Sequence, residues 1–289
     1  MTRSHIVAAL CVAASSCAPR AAVHPRAAEE VARGYAHLSA GDPERAEVAF
    51  AHALAFDPDF PEGENGLGIV ARRRGDLARA CRSFERAVRL RPDFAEAHAN
   101  MGEALLALGE PARAEERLRA ALRIDPDLAD ARENLARTLL RRGLAPGVDR
   151  AARFAQARRE YLHLLEAEPD RAAAHHDLAF MDYAEGRFER AERGYRRAAA
   201  LSPASHEPLH GLCISLVHLG RCAEAADACR RCLEVQPGAD ACRKSLAGAR
   251  ACQGGGEGFS LSLSGPSRYR PRRGARGRPS RPSPPWPCR

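Results

Sequence analysis

Residues 67–92 read LGIVARRRGDLARACRSFERAVRLRP, and this stretch decides the fold. Ala80, Phe84 and Ala87 are spaced by four and then three residues, which is one face of an α-helix. Gly75 punctuates the run ahead of that helix, and Pro92 stops it. The same punctuation recurs along the chain: Pro58, Pro92 and Pro126 are 34 residues apart, and so are Pro203 and Pro237. A fixed period of this length marks a two-helix unit stacked many times over, in which each unit touches only its neighbours.

Setting each proline at the same phase gives six windows: 27–60, 61–94, 95–128, 129–171, 172–205 and 206–239. The second carries Leu67-Gly68 where a small residue allows close helix approach. The third matches it with Met101-Gly102, Gly109, Ala114, Leu118 and Ala121, the fifth with Leu178-Ala179, Gly186, Ala191, Tyr195 and Ala198. In these residues the chain resembles the tetratricopeptide-repeat family over 27–239. The resemblance implies an all-α, right-handed solenoid of about six helix–turn–helix repeats, with an extended concave face that binds other proteins. Residues 240–252 then form a capping helix over the last apolar face. The fourth window holds 43 residues, and its excess, LAPGVDRAA at 144–152, is expected to enlarge the turn between its two helices.

The N-terminus, MTRSHIVAALCVAASSC, has a basic Arg3, an apolar stretch at 6–14 too short to span a bilayer, and small residues leading to Cys17. It resembles a bacterial lipoprotein signal over 1–16, with Cys17 lipidated and 17–26 as a linker, although Ala14 replaces the usual Leu. Ala18 rather than Asp after the cysteine favours the outer membrane. The net charge of +8 is misleading as a whole. Eight arginines against Glu257 put +7 into residues 254–289, Arg3 adds one, and residues 18–253 sum to about zero. A neutral solenoid has no electrostatic footprint for nucleic acid. The Arg-, Pro- and Gly-rich segment 253–289 cannot bury a core and is expected to be a disordered, solvated extension.

Cys213, Cys222, Cys229, Cys232, Cys242 and Cys252 crowd into the last repeat and the cap. In an exported chain this reads as a disulfide framework. The second helix of repeat six runs antiparallel to the cap, which favours Cys222–Cys252 at one end and Cys232–Cys242 at the other. Cys213 and Cys229 face each other as a third pair. Cys229 and Cys232 also have the spacing of a redox motif, but no strand precedes them, and the cysteines do not form the paired knuckles of a zinc site.

His206-Glu207-Pro208-Leu209-His210 spells H-E-x-x-H, the pattern of a zinc peptidase with two imidazoles on one helix face and a glutamate base. Here it opens a repeat helix, with Pro208 in the first turn, and no third ligand follows. It is read as coincidence, and His175-His176 as an exposed pair. No phosphate loop or nucleophilic triad is present, so the chain is not expected to be an enzyme or to need a cofactor.

A lipoprotein signal, six repeats and a cystine-capped end together resemble the pilotins of type IV pilus systems, the PilF/PilW and Tgl lipoproteins. That resemblance implies a lipid-anchored protein on the periplasmic face of the outer membrane that binds secretin subunits and promotes their assembly. The other reading is a general envelope scaffold for outer-membrane or peptidoglycan machinery. Concave-face candidates are Asn65, Ile69, Arg72, Asn100, Glu103, Asn134 and Thr138; Asn100 and Asn134 stand where asparagine is often structural. A carboxylate clamp for chain termini is disfavoured because Lys244 is the only lysine.

Overall fold

The computed structural model of the chain describes residues 24–253. The lipoprotein signal, Cys17 and the Arg-rich segment lie outside those residues. Thirteen helices fill the described part: α1 (Pro25–Ser39), α2 (Pro43–Phe56), α3 (Pro61–Arg73), α4 (Leu77–Leu90), α5 (Ala95–Leu108), α6 (Pro111–Ile124), α7 (Ala129–Gly143), α8 (Arg150–Ala167), α9 (Ala172–Ala184), α10 (Phe188–Leu201), α11 (His206–His218), α12 (Cys222–Val235) and α13 (Asp240–Gln253). They pack as consecutive pairs, odd-numbered helix A against even-numbered helix B, into an all-α tetratricopeptide solenoid. Each helix A also contacts the next helix A (α1 with α3, α3 with α5, and so on to α9 with α11), so the A helices form the inner face.

The core is one motif used six times. Ala46, Ala80, Ala114, Ala157, Ala191 and Ala225 on the B helices are fully buried. One turn further on, Phe50, Phe84, Leu118, Tyr161, Tyr195 and Cys229 are equally buried. Phe50, Phe84 and Leu118 each point at a glycine of their own helix A. A Cβ placed on Gly34 or Gly68 would come within 2.5 Å of the Phe50 or Phe84 ring, and one on Gly102 within 2.6 Å of Leu118. The turns between helices are closed by glycines with left-handed backbones, Gly75 and Gly109 at φ +82°. Side-chain N-caps such as Asp42, Asp76 and Asp149 start the B helices after them.

The fourth repeat differs from expectation in where its extra residues go. The connection 144–149 is lengthened, but α8 also grows to 18 residues, where α4, α6 and α10 have 14. The added turn carries Phe154, which is fully buried beside Gly143 at the end of α7, so part of the insertion is core. Glu115 of α6, nearly buried, anchors it by accepting from Arg142 and Arg153 as well as from Arg119.

At the C-terminal end the structure pairs Cys213 with Cys229, Cys222 with Cys252, and Cys232 with Cys242, at Cα separations of 5.4, 5.6 and 6.2 Å. These are ordinary separations for disulfides. Two of the bonds fasten α13 to the two ends of α12, at the C-terminal end of the described solenoid.

Two predictions follow from the packing. Gly68→Leu should destabilise the fold by about 1–3 kcal/mol through overpacking. Combining it with Phe84→Ala, which exchanges large and small across the contact, should cost less than the sum of the single changes. Urea unfolding of the four proteins of this cycle measures it, and strict additivity would show that the two positions are not coupled. Separately, Cys222→Ser with Cys252→Ser should lower stability by about 2–4 kcal/mol and leave the helical circular dichroism signal of the folded protein nearly unchanged.

Candidate functional site

The inner face of repeats two to four holds a groove of about 810 Å³. Its floor includes Asn65 and Ile69 of α3 and Ala99 and Asn100 of α5. The amides form a chain across three repeats: Asn100 Nδ2 donates to Asn65 Oδ1 at 3.0 Å, and Asn65 Nδ2 donates to the Tyr35 hydroxyl at 3.1 Å. Burial raises the Tyr35 pKa despite the opposing hydrogen bond from Asn65, so the hydroxyl stays protonated. Asn65 is thereby held in one orientation with most of its surface covered, while Asn100 keeps partial exposure toward the groove.

Arg72 and Glu103, one repeat apart, form an ion pair at 2.5 Å that links α3 to α5. The remaining two candidates are placed differently from the sequence reading. Thr138 is fully buried, and its hydroxyl donates to the Asn134 carbonyl at 2.7 Å, so it faces the helix packing and not a partner. Asn134 is buried and accepts from Arg137 of its own helix. A helical periodicity places both on helix A but does not say how deep each sits.

The groove walls contain residues that the sequence reading missed. Glu62, Glu96 and Asp130 recur at intervals of 34 residues, on the second position of α3, α5 and α7, and all three line the groove with Asp93. That regular spacing was the available signal. Glu62 pairs with Arg91 at 2.6 Å, and the Arg91 guanidinium sits 3.6 Å from the centre of the Phe94 ring. Asp130 pairs with Arg171 at 2.7 Å. Asp93 and Glu96 make no ion pair among the described residues, so the groove carries more carboxylate than cation.

In repeats five and six the positions equivalent to Asn65 and Asn100 are structural. Asp177 is buried and accepts from the Tyr161 hydroxyl at 2.5 Å, with the His176 ring 2.9 Å away. His176 itself is 2% exposed, which corrects the reading of His175-His176 as a surface pair; only His175 reaches the surface, where its ring meets the Pro169 carbonyl at 2.8 Å. The H-E-x-x-H stretch opens α11, but His210 is buried with its Nε2 3.0 Å from the Ser245 hydroxyl of α13. Among the described residues, no three His, Cys, Asp or Glu side chains converge to hold a metal ion. No helix of the described residues is long and apolar enough to cross a membrane.

Burial, with the nearby His206 and His176, pushes the His210 pKa down to about 4. The unfolded chain protonates this ring near pH 6.5, so between the two values the folded state binds fewer protons. The contribution is complete above pH 6.5 and fades as pH falls toward 4, amounting to about 3 kcal/mol. Burial lowers His98 and His218 in the same direction. Urea midpoints across this window should show the loss, and His210→Gln should flatten the slope; an unchanged slope would show that His210 is not the main proton-linked group.

Comparison with known proteins bears on the repeat assignment. Residues 31–95, 65–128 and 99–147 match the model of the tetratricopeptide repeat. No curated protein matches the chain at a significant level. Among solved structures, Pseudomonas aeruginosa PilF is 19% identical with a TM-score of 0.66, over 77% of this chain and 97% of that one. PilW, described as a widely conserved type IV pilus biogenesis factor, is 18% identical with a TM-score of 0.67, over 77% of this chain and 99% of that one. The Cut9–Hcn1 structure from the APC/C reaches a TM-score of 0.67 at 16% identity, but only 42% of that chain is covered. Residues 31–147 thus match the tetratricopeptide repeat, and the solenoid as a whole resembles the pilus proteins PilF and PilW in fold.

Proposed function

We propose that this protein is a non-enzymatic binding module of type IV pilus biogenesis, acting as a lipid-anchored pilotin that promotes secretin assembly. The observation that carries the reading is the match in extent. PilF and PilW are covered almost end to end by this solenoid, whereas Cut9 is covered over less than half. A repeat fold alone is generic, so what supports the narrower reading is that PilF and PilW match over 77% of this chain, against 69% and 66% for the repeat proteins YrrB and TTC0263. The small residues before Cys17 support the same reading from the sequence side. In this scheme a lipid on Cys17 keeps the solenoid at the periplasmic face of the outer membrane, and the groove of repeats two to four holds a segment of the client. Acyl chains supply a membrane affinity that the neutral solenoid lacks.

Deleting the gene in its source organism and following the secretin as heat-resistant oligomer or monomer on a gel tests this. Monomers should accumulate, with rescue by the wild-type protein but not by Cys17→Ala. Unchanged oligomers would overturn the pilotin reading in favour of a general envelope scaffold.

A further inference from the structure

We infer that the groove of repeats two to four is a docking site for the arginine-rich segment 268–281 of this same chain, which a client must displace. Both halves of the interaction are present in the sequence and structure. Glu62, Asp93, Glu96 and Asp130 line the groove against a single lining cation, Arg91, although residues 18–253 as a whole are neutral. The C-terminal segment, in contrast, holds nearly all of the chain's net positive charge. Arg91 is engaged by Glu62 and Phe94, and Arg171 by Asp130, which leaves Asp93 and Glu96 without an ion pair among the described residues. These two carboxylates are the ones open to an incoming guanidinium.

The spacing of the charges agrees as well as their sign. Glu62, Glu96 and Asp130 stand on successive A helices that contact one another, and packed helices lie roughly 8–10 Å apart. A proline-rich extended chain has three residues per turn and rises about 3.1 Å per residue, so every third side chain returns to the same side after about 9 Å. Arg270, Arg273 and Arg276 have that spacing, with Pro271 after the first and Pro279 beyond the last. One carboxylate step of the groove therefore corresponds to one arginine step of the segment. The separation is also bridgeable. Seventeen residues from Gln253 to Arg270 span up to roughly 55 Å, and four steps from α13 back to α5 amount to roughly 40 Å. Arginine suits the task, since its fork binds carboxylates in two-point contacts that lysine cannot make.

The inference concerns how the groove is regulated and does not depend on which client occupies it. It is tested on the purified full-length chain, without membrane or secretin, so its failure is separate from failure of the pilotin reading. Photo-reactive benzoylphenylalanine in place of Tyr269 should cross-link within the chain to α3, α5 or α7, as mapped by mass spectrometry. Asp93→Arg with Glu96→Arg should reduce that yield roughly tenfold while leaving helicity unchanged. Adding Arg270→Glu, Arg273→Glu and Arg276→Glu to that variant should restore much of it. Cross-links scattered over the outer face, or a yield indifferent to charge reversal, would overturn the proposal. Products joining two chains would overturn the same-chain assignment and give the site to a second copy, and a copurifying polypeptide at Tyr269 would give the segment to a partner.

Discussion

The large side chains of helix B are buried in this solenoid mainly against helix-A positions that have no side chain of their own. Phe50 faces Gly34, Phe84 faces Gly68, Leu118 faces Gly102, and Tyr195 lies against Gly211 of the following repeat. Close packing makes each contact mutually exclusive: an added methyl on one side requires volume removed from the other. The constraint sets how near the A helices approach, and hence how closely the inner-face residues of adjacent repeats lie. The Asn100–Asn65–Tyr35 chain, with bonds of 3.0 and 3.1 Å, exists because the helices beneath it are held at that distance.

The same position explains the cysteines. In repeat six the small and large partners are replaced by Cys213 and Cys229, which fill the site as a covalent pair. Stability in a stacked array is a sum of repeat terms and interfaces, so the terminal unit has one interface fewer than the rest. The three disulfides lie in the last repeat and its cap, where fraying would begin. His210 and Ser245 add a buried hydrogen bond between α11 and α13, and its neutral imidazole ties the same end to pH.

Much of this was legible in the chain. Proline and glycine phase located the repeats, because turns and helix stops depend on backbone geometry that only those residues supply cheaply. The cystine pairing was legible because an antiparallel helix pair brings opposite ends together. The destination of the extra residues in repeat four was not, since Phe154 joins the core through an added helical turn that no proline or glycine marks. Depth within helix A was also hidden. Thr138, Asn134 and His176 share a helical face with groove residues, but their burial depends on the neighbouring repeat, which a single-helix periodicity does not describe. The acidic stripe Glu62, Glu96 and Asp130 was visible as a 34-residue recurrence, yet its meaning required knowing that all three line one groove.

Recognition and closure are divided along the length of the solenoid by what fills two adjacent positions of helix A. In repeats two and three these are Asn65 with Gly66 and Ala99 with Asn100; Asn65, Ala99 and Asn100 line the groove, while Gly66 backs onto the Phe50 ring. In repeats five and six they are His176 with Asp177 and His210 with Gly211, all buried, with the polar groups turned to Tyr161 or Ser245. Buried polar groups demand partners, and once those partners lie inside the fold they are no longer offered to a ligand. The C-terminal repeats therefore gain a fixed interior at the expense of an open inner face. The N-terminal repeats keep, among the described residues, carboxylates without an ion pair and a partly exposed amide at the surface, and these are the groups that can offer complementary charge to a second polypeptide segment.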